Sequence, residues 1–210
     1  MDKPVNKKPK LKKQEILPKR VGGIYEKIYE YENIKTAIKA VCSSPNATKS
    51  KKNEKTNAKQ QKEKYLGDID KYTKIIQALL IEGRYKPRKL RRKEIYDGVR
   101  HKKRMIAKPC MIDKIVQRAV LQIIEPILTR RMYMYSCASI KGKGGTYCKR
   151  KIERAIARKN RKGKTYKNVK HTKYWEALDI KKCYDNILHC FLKFRLIKMF
   201  KDKRLLELLF

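Results

Sequence analysis

Residues 109–127 read PCMIDKIVQRAVLQIIEPI and carry the strongest hydrophobic periodicity of the chain. Apolar side chains recur there every three or four residues, which is the spacing of one helix face. The stripe consists of Ile112, Ile115, Val116, Ala119, Val120, Ile123, Ile124 and Ile127. Because this stripe is broad, we predict a heavily buried helix. Pro126 lies inside the pattern and is expected to kink or end the helix, since proline has no backbone N–H to donate.

A basic β-hairpin is predicted immediately before this helix. Two short runs of β-forming residues, EIY at 94–96 and RMI at 104–106, flank the pair Asp97-Gly98. Such a pair favours a turn because glycine tolerates positive φ. Pro87 breaks the helix that precedes the hairpin.

Two helical segments and a linker are predicted further upstream. Residues 22–42 and 65–79 both show the helical spacing of apolar side chains, and Gly83 closes the second segment. Between them, residues 43–64 hold seven lysines and too little apolar surface to pack a core. We interpret them as a lysine-rich linker, helical at most toward its end. Residues 1–21 are lysine-rich without periodicity, which is typical of a basic flexible arm.

Downstream of the buried helix, basic loops alternate with short elements. In order, we predict a glycine–lysine loop (139–145), a helix (146–158), a basic loop (158–173), a strand (174–180), a helix (188–200) and a further helix from Lys203. Together with the upstream elements, this order describes a helix-rich α+β fold.

The charge of the chain restricts its partners. Its 210 residues include 58 lysines and arginines against 20 aspartates and glutamates, a net charge of +38. Such a charge costs self-repulsion unless a polyanion neutralises it, so nucleic acid is the leading partner and an anionic membrane surface the second choice. No apolar run approaches the roughly 18 to 20 residues of a spanning helix, and none follows the basic N-terminus as in a secretory signal. The six cysteines form no C-x-x-C pair, which favours free thiols in a reducing compartment over a zinc site.

Asp179 is the single residue with the clearest chemical significance. It stands between Leu178 and Ile180 at the end of the predicted strand, and strand alternation puts it on the opposite face from both. Two roles fit a carboxylate in that position. It can cap the following helix, or it can bind a hard cation such as Mg²⁺, which prefers carboxylate oxygen.

The segment LDIKKCYDNI at 178–187 is similar to the first catalytic motif of reverse transcriptases, D-x-K-x-x-F/Y-D-x-I, in the group II intron, retron and diversity-generating types. Residues 102–126 resemble the fingers motif of the same family, with matches at Arg104, Ile106, Pro109, Asp113, Ile115, Val116, Gln117, Ala119, Glu125 and Pro126. YSCASIKGKGG at 135–145 is similar to the family's S-Y-G-F-R-P-G-R-G segment, GRYKP at 83–87 to its usual lead-in, and residues 22–40 to the opening helix of phage-borne members. Motifs in this order at the family spacing are far more specific than any one alone.

The resemblance implies a right-hand polymerase fold. Residues 65–172 would form the fingers, helix-rich with the basic hairpin, and residues 173–210 the start of the palm, with its first strand and helix. The second metal motif of the family, Y/F-x-D-D, occurs nowhere in the sequence. We therefore expect a fragment, or a truncated reading frame, of a cytoplasmic protein that is bacterial or phage-encoded.

The resemblance also implies an activity, which is RNA-directed DNA synthesis from dNTP on an RNA template with a DNA or RNA primer. Asp179 would be the catalytic residue and, with the backbone carbonyl of Ile180, a ligand of two Mg²⁺ ions. Tyr184 would exclude the ribose 2′-OH, the group that distinguishes RNA from DNA. The plain structural alternative for Tyr184 is an ordinary packed tyrosine.

Binding residues follow from the same resemblance. Arg104, assisted by Lys102 or Lys103 as a point charge, would contact the incoming triphosphate, because a guanidinium donates two parallel hydrogen bonds to phosphate. Lys141, Lys143 and Gln117 would contact the template. The structural alternatives are solvated basic residues, a flexible basic loop, and a helix glutamine with satisfied hydrogen bonds.

A non-catalytic RNA-binding protein, or an accessory module derived from a reverse transcriptase, is the second hypothesis. A net charge of +38 suits both hypotheses equally. Because a two-metal polymerase needs carboxylates from both motifs, the 210-residue chain by itself is expected to be inactive.

Overall fold

The structure, a computed structural model, describes residues 20–43, 52–97, 101–133, 136–138, 140–156, 176–181, 183, 184 and 186–210. Within these residues the chain forms eight helices and one two-stranded antiparallel sheet, which confirms the α+β class. Nearly all of the predicted basic arm, and the basic loop predicted at 158–173, lie outside the described residues.

Helices account for most of the regular structure. They are α1 (Tyr25–Tyr29), α2 (Tyr31–Ser43), α3 (Lys52–Gly67), α4 (Ile69–Ile81), α5 (Met111–Arg131), α6 (Gly145–Ile156), α7 (His189–Met199) and α8 (Lys203–Leu209). The strands are β1 (Arg91–Asp97) and β2 (Lys102–Lys108). The chain divides into two compact units, one made of Met1–Glu26 with Ile187–Phe210 and the other of Lys27–Asn186. In the part of the chain that the structure describes, no helix is both long enough and apolar enough to cross a membrane.

The core of the larger unit lies where α2 packs against α4 and α5. Its buried apolar side chains include Ile34, Ala37, Ile38, Ile76, Leu80, Ile115, Val116, Ala119 and Val120. Two side-chain amides join α2 to α5: Asn33 donates to the Ala119 carbonyl (3.2 Å), and Gln122 donates to the side-chain oxygen of Asn33 (2.7 Å). The apolar stripe of residues 112–127 thus forms a buried helix face, as predicted.

Helix α5 does not end at Pro126 but continues to Arg131. A proline inside a helix removes one backbone hydrogen bond. Burial of the stripe against α2 outweighs that loss, since most helical stability in proteins comes from packing of the apolar face.

Helix α3 reaches further upstream than the sequence indicates, because it begins at Lys52, inside the predicted linker. Lysine, glutamate and glutamine are good helix formers. Lys59 and Glu63, one turn apart, form an ion pair at 3.7 Å. A helix can therefore form here without a core of its own.

The strand predicted at 174–180 is not formed in its described part. Residues 176–180 belong to no helix or strand and are exposed. A strand requires a neighbour for its backbone hydrogen bonds, and the sheet in the described residues consists of β1 and β2 alone. Alternating apolar residues are therefore not sufficient to form a strand when no neighbouring strand pairs with them.

The smaller unit is held by contacts between distant parts of the sequence. Val21 forms a parallel bridge with Phe200, which is fully buried. The Val21 carbonyl accepts a hydrogen bond from the Lys201 N–H at 2.7 Å. The Asp202 carboxylate accepts hydrogen bonds from three successive backbone N–H groups, those of Gly23 (2.8 Å), Ile24 (2.6 Å) and Tyr25 (3.1 Å). Tyr25 is the first residue of α1, and Gly23 and Ile24 directly precede it, so Asp202 caps the start of α1.

Candidate nucleic-acid interface

The hairpin has two different faces, because strand residues alternate sides. Ile95 pairs with Arg104, and Tyr96 pairs with Lys103. We call one side the inner face, formed by Arg91, Lys93, Ile95, Arg104, Ile106 and Lys108. We call the other side the outer face, formed by Arg92, Glu94, Tyr96, Lys103, Met105 and Ala107. Ile95 and Ile106 are half-buried, whereas every residue of the outer face is exposed.

Arg104, the predicted triphosphate contact, is an exposed residue of the inner face. Lys102, its predicted assistant, is the first residue of β2 and pairs with Asp97 in the strand register. Lys103 belongs to the outer face.

One buried carboxylate fastens both ends of the hairpin to helix α5. Asp113, the third residue of α5, is 2 % exposed. It accepts hydrogen bonds from the Tyr85 hydroxyl (2.8 Å) and the Arg88 backbone N–H (3.2 Å), both located before β1. It also accepts hydrogen bonds from Cys110, located after β2. We call Tyr85, Arg88, Cys110 and Asp113 the hairpin clamp.

The clamp pairs a neutral phenol with a carboxylate. Burial raises the pKa of Asp113, but the hydrogen bonds from Cys110, Tyr85 and Arg88 outweigh burial and leave this pKa below its ordinary value. Burial, and then the hydrogen bond to Asp113, raises the pKa of Tyr85. Sequence reasoning treated Asp113 only as a motif match and missed this role. The available signal was an acid in the first turn of a buried helix, where negative charge is favourable.

The predicted template lysines lie on a tight turn before α6. Lys143 N–H donates to the Ile140 carbonyl at 3.0 Å, and Gly142 has a φ of +79°. A positive φ at the third position is typical of a type II turn and explains the glycine. Lys141 is exposed at the second position. Lys143 Nζ lies 5.8 Å from the centre of the Tyr147 ring, close enough for a cation–π contact.

Gln117, the third predicted template contact, is exposed on α5. Its neighbours Ile115 and Val116 are buried, so Gln117 lies on the solvent side of a helix whose other side forms the core.

The catalytic-motif residues lie on an exposed segment. Asp179 is exposed and has no hydrogen bond or ion pair with any other described side chain. Tyr184 is 87 % exposed and lies in a turn that Asn186 holds by donating to the Lys181 carbonyl at 3.0 Å. Tyr184 therefore packs little against the described residues. Asp179 does not cap the next helix, because α7 has Leu188 at its N-cap.

A Mg²⁺ site would need more carboxylates than these residues supply. The Asp179 carboxylate and the Ile180 carbonyl are hard oxygen donors of the kind that Mg²⁺ binds. No group of three or more histidine, cysteine, aspartate or glutamate side chains comes together among the described residues. They therefore do not form a complete two-metal site.

No protein-family model matches the sequence, and no curated protein matches it at a significant level. The reverse-transcriptase resemblance therefore rests on the motif residues themselves. The hairpin clamp adds a physical contact between two of those motif segments.

Proposed function

We propose that the chain forms the fingers and the first palm segment of an RNA-directed DNA polymerase. The observation that carries the proposal is the hairpin clamp. Tyr85 belongs to the segment that resembles the family lead-in, Asp113 to the segment that resembles the fingers motif, and the two are hydrogen-bonded at 2.8 Å. Residues that match the family at separate places in the sequence thus make one structural unit, which a chance match of motifs does not predict.

Each site residue has a role in this proposal. Arg104, assisted by Lys102, binds the triphosphate of the incoming nucleotide through a bidentate guanidinium. Tyr184 packs against the sugar and leaves no room for a 2′-OH. The template contacts come from Lys141, Lys143 and Gln117.

Catalysis is proposed for a protein that carries both carboxylate motifs. When bound, Mg²⁺ supplies activation of the primer 3′-hydroxyl and neutralises the leaving group. Asp179 and the Ile180 carbonyl are the residues of this chain that would hold it. Further carboxylates would come from a Y/F-x-D-D motif, which this sequence does not contain.

A non-catalytic RNA-binding protein is the second candidate. The observation in its favour is that no group of three or more metal-type side chains comes together among the described residues. A net charge of +38 is enough for RNA binding without any chemistry.

A dissociation measurement distinguishes the two candidates. A fluorescent primed RNA template is bound to the chain in Mg²⁺, and its dissociation is followed by anisotropy with and without dNTP. The polymerase proposal predicts that the dNTP complementary to the next template base slows dissociation, whereas a mismatched dNTP does not. A non-catalytic RNA-binding protein dissociates at the same rate with every dNTP.

Substitutions then test the role of Arg104. Arg104→Ala should abolish the effect of dNTP, yet leave RNA affinity within roughly threefold, because many other cations share the phosphate contacts. Arg91→Ala is the matched control, since Arg91 is an exposed arginine at the other end of the inner face. If both variants respond to dNTP like the wild type, Arg104 does not bind the triphosphate.

A further inference from the structure

The outer face of the hairpin has no part in the proposed function, yet it combines an aromatic ring with cations. Tyr96 is 63 % exposed and Met105 is 66 % exposed. Arg92 and Lys103 lie on the same face, and Lys103 stands directly opposite Tyr96. Proteins that bind single-stranded nucleic acid use this combination, because rings stack on bases while cations contact the phosphates.

The Tyr96 ring is exposed but held in place. Its hydroxyl lies 3.2 Å from Nδ1 of His101, and the two rings meet edge to face with centroids 6.4 Å apart. The β1–β2 pairing fixes the backbone on which the ring stands. A ring restricted in this way loses little conformational freedom when a base stacks on it.

Glu94 is the one acidic member of the outer face, and its carboxylate lies 3.6 Å from Lys103 Nζ. Both side chains are mainly exposed, at 52 % and 73 %, so the ion pair is weak and a phosphate can compete for Lys103. Glu94 therefore opposes the binding of a polyanion, and its removal is expected to strengthen binding.

We propose that the outer face of the hairpin binds single-stranded RNA, with a base stacked on Tyr96 and with Arg92 and Lys103 on the phosphates. The bases of a duplex are stacked on each other and offer no free face to a ring, so the surface selects an unpaired strand. The inference rests on the proposed function in that this strand is the unpaired part of the template.

Tyr96 is tested by affinity for a single-stranded RNA oligomer and for an RNA–DNA duplex of the same length. Tyr96→Ala should weaken single-strand binding by roughly 5- to 150-fold, the range measured for loss of one stacked base. It should leave duplex binding and the salt dependence unchanged, because no charge is removed. Tyr96→Phe keeps the ring without the hydroxyl and should bind the single strand nearly as well as the wild type.

Substitutions of the charged residues test the phosphate contacts, which the Tyr96 variants do not test. Arg92→Ala and Lys103→Ala should each reduce the slope of log affinity against log salt by about 0.7, the value for one phosphate contact on a single strand. Glu94→Gln should raise single-strand affinity. Glu82→Gln is the matched control. Like Glu94, Glu82 is exposed and forms an ion pair with a basic residue, here Arg84, but it lies outside the hairpin.

The outcomes separate this inference from the proposed function. Wild-type single-strand affinity in Tyr96→Ala overturns the inference and leaves the proposed function standing. Equal losses on single strand and duplex also overturn it, because Tyr96 would then support the hairpin instead of stacking on a base. If the wild type binds neither nucleic acid, the proposed function fails together with the inference.

Discussion

Replacement of Asp113 by alanine should destabilise the protein far more than an ordinary surface substitution. The change removes the common acceptor of the Tyr85 hydroxyl, the Arg88 N–H and Cys110. Arg88 is exposed, so water can replace the carboxylate there. The half-buried Tyr85 and Cys110 then keep unsatisfied donors, each at a cost of about 1–3 kcal/mol, so we expect a total loss of about 2–6 kcal/mol.

A double-mutant cycle isolates the Tyr85–Asp113 contact. Tyr85→Phe alone should cost about 1.5–3 kcal/mol, the usual range for a hydrogen bond to a charged group. In the Tyr85→Phe background no hydroxyl is left unsatisfied, so the two substitutions together should cost less than their sum by about 1–2 kcal/mol. Urea unfolding of the 210-residue chain, followed by circular dichroism, measures all four free energies of unfolding.

Asp70 provides the matched control. It also accepts a hydrogen bond from a tyrosine, Tyr31, and pairs with Lys35 at 3.0 Å, but its side chain is 63 % exposed. Asp70→Ala should therefore change stability much less, because water replaces the lost acceptor. Amide hydrogen exchange adds a local test, in which Asp113→Ala speeds exchange at Arg88 N–H. If Asp113→Ala and Asp70→Ala cost the same, Asp113 does not hold the hairpin.

Three further predictions concern the acid range, the catalytic aspartate and the glycine–lysine turn. The pKa of Asp113 is lowered in the folded state, so its carboxylate stabilises the fold above about pH 4, and this stabilisation is lost as the pH falls through the lowered pKa. The difference in free energy of unfolding between wild type and Asp113→Asn should therefore shrink from pH 7 to pH 3 in urea titrations. In a protein that also carries a Y/F-x-D-D motif, Asp179→Asn should lower primer extension by roughly 10³ with unchanged RNA affinity, while the present chain should extend no primer. Gly142→Ala should lower the free energy of unfolding by about 1–2 kcal/mol because φ is positive at that position. Gly144→Ala should leave it unchanged, because an added Cβ there meets no neighbouring atom; thermal unfolding of both variants measures the difference.

The hairpin and the main helices were predictable because their signals are local. The spacing of apolar residues along α5 is a property of neighbouring turns, and the β-forming runs of β1 and β2 each span a few adjacent residues. The predicted turn residue Gly98 lies outside the described residues. The residue at which a helix ends is less well determined by the local sequence. A proline in a helix interior removes a hydrogen bond in any helix, but packing against α2 decides whether α5 continues past Pro126.

The hairpin clamp and the unformed strand were not predictable because they depend on contacts between residues that are distant in the sequence. Tyr85 and Asp113 are 28 residues apart, and no local pattern specifies which donor a buried acid will meet. Residues 176–180 have the composition of a strand, but a strand depends on a neighbour that lies elsewhere in a chain. Both features depend on tertiary contacts that periodicity does not encode.

The cap that Asp202 places on α1 has a consequence for biosynthesis. The Ile24 N–H group leaves the ribosome 178 residues before the carboxylate that will accept its hydrogen bond. At roughly 5–20 residues per second, the start of α1 waits about 10–40 s for its acceptor. The smaller unit therefore completes its fold only after Asp202 has emerged, when α2 to α5 have had time to pack. A nascent chain stalled before codon 202 would keep these three amide groups open to solvent.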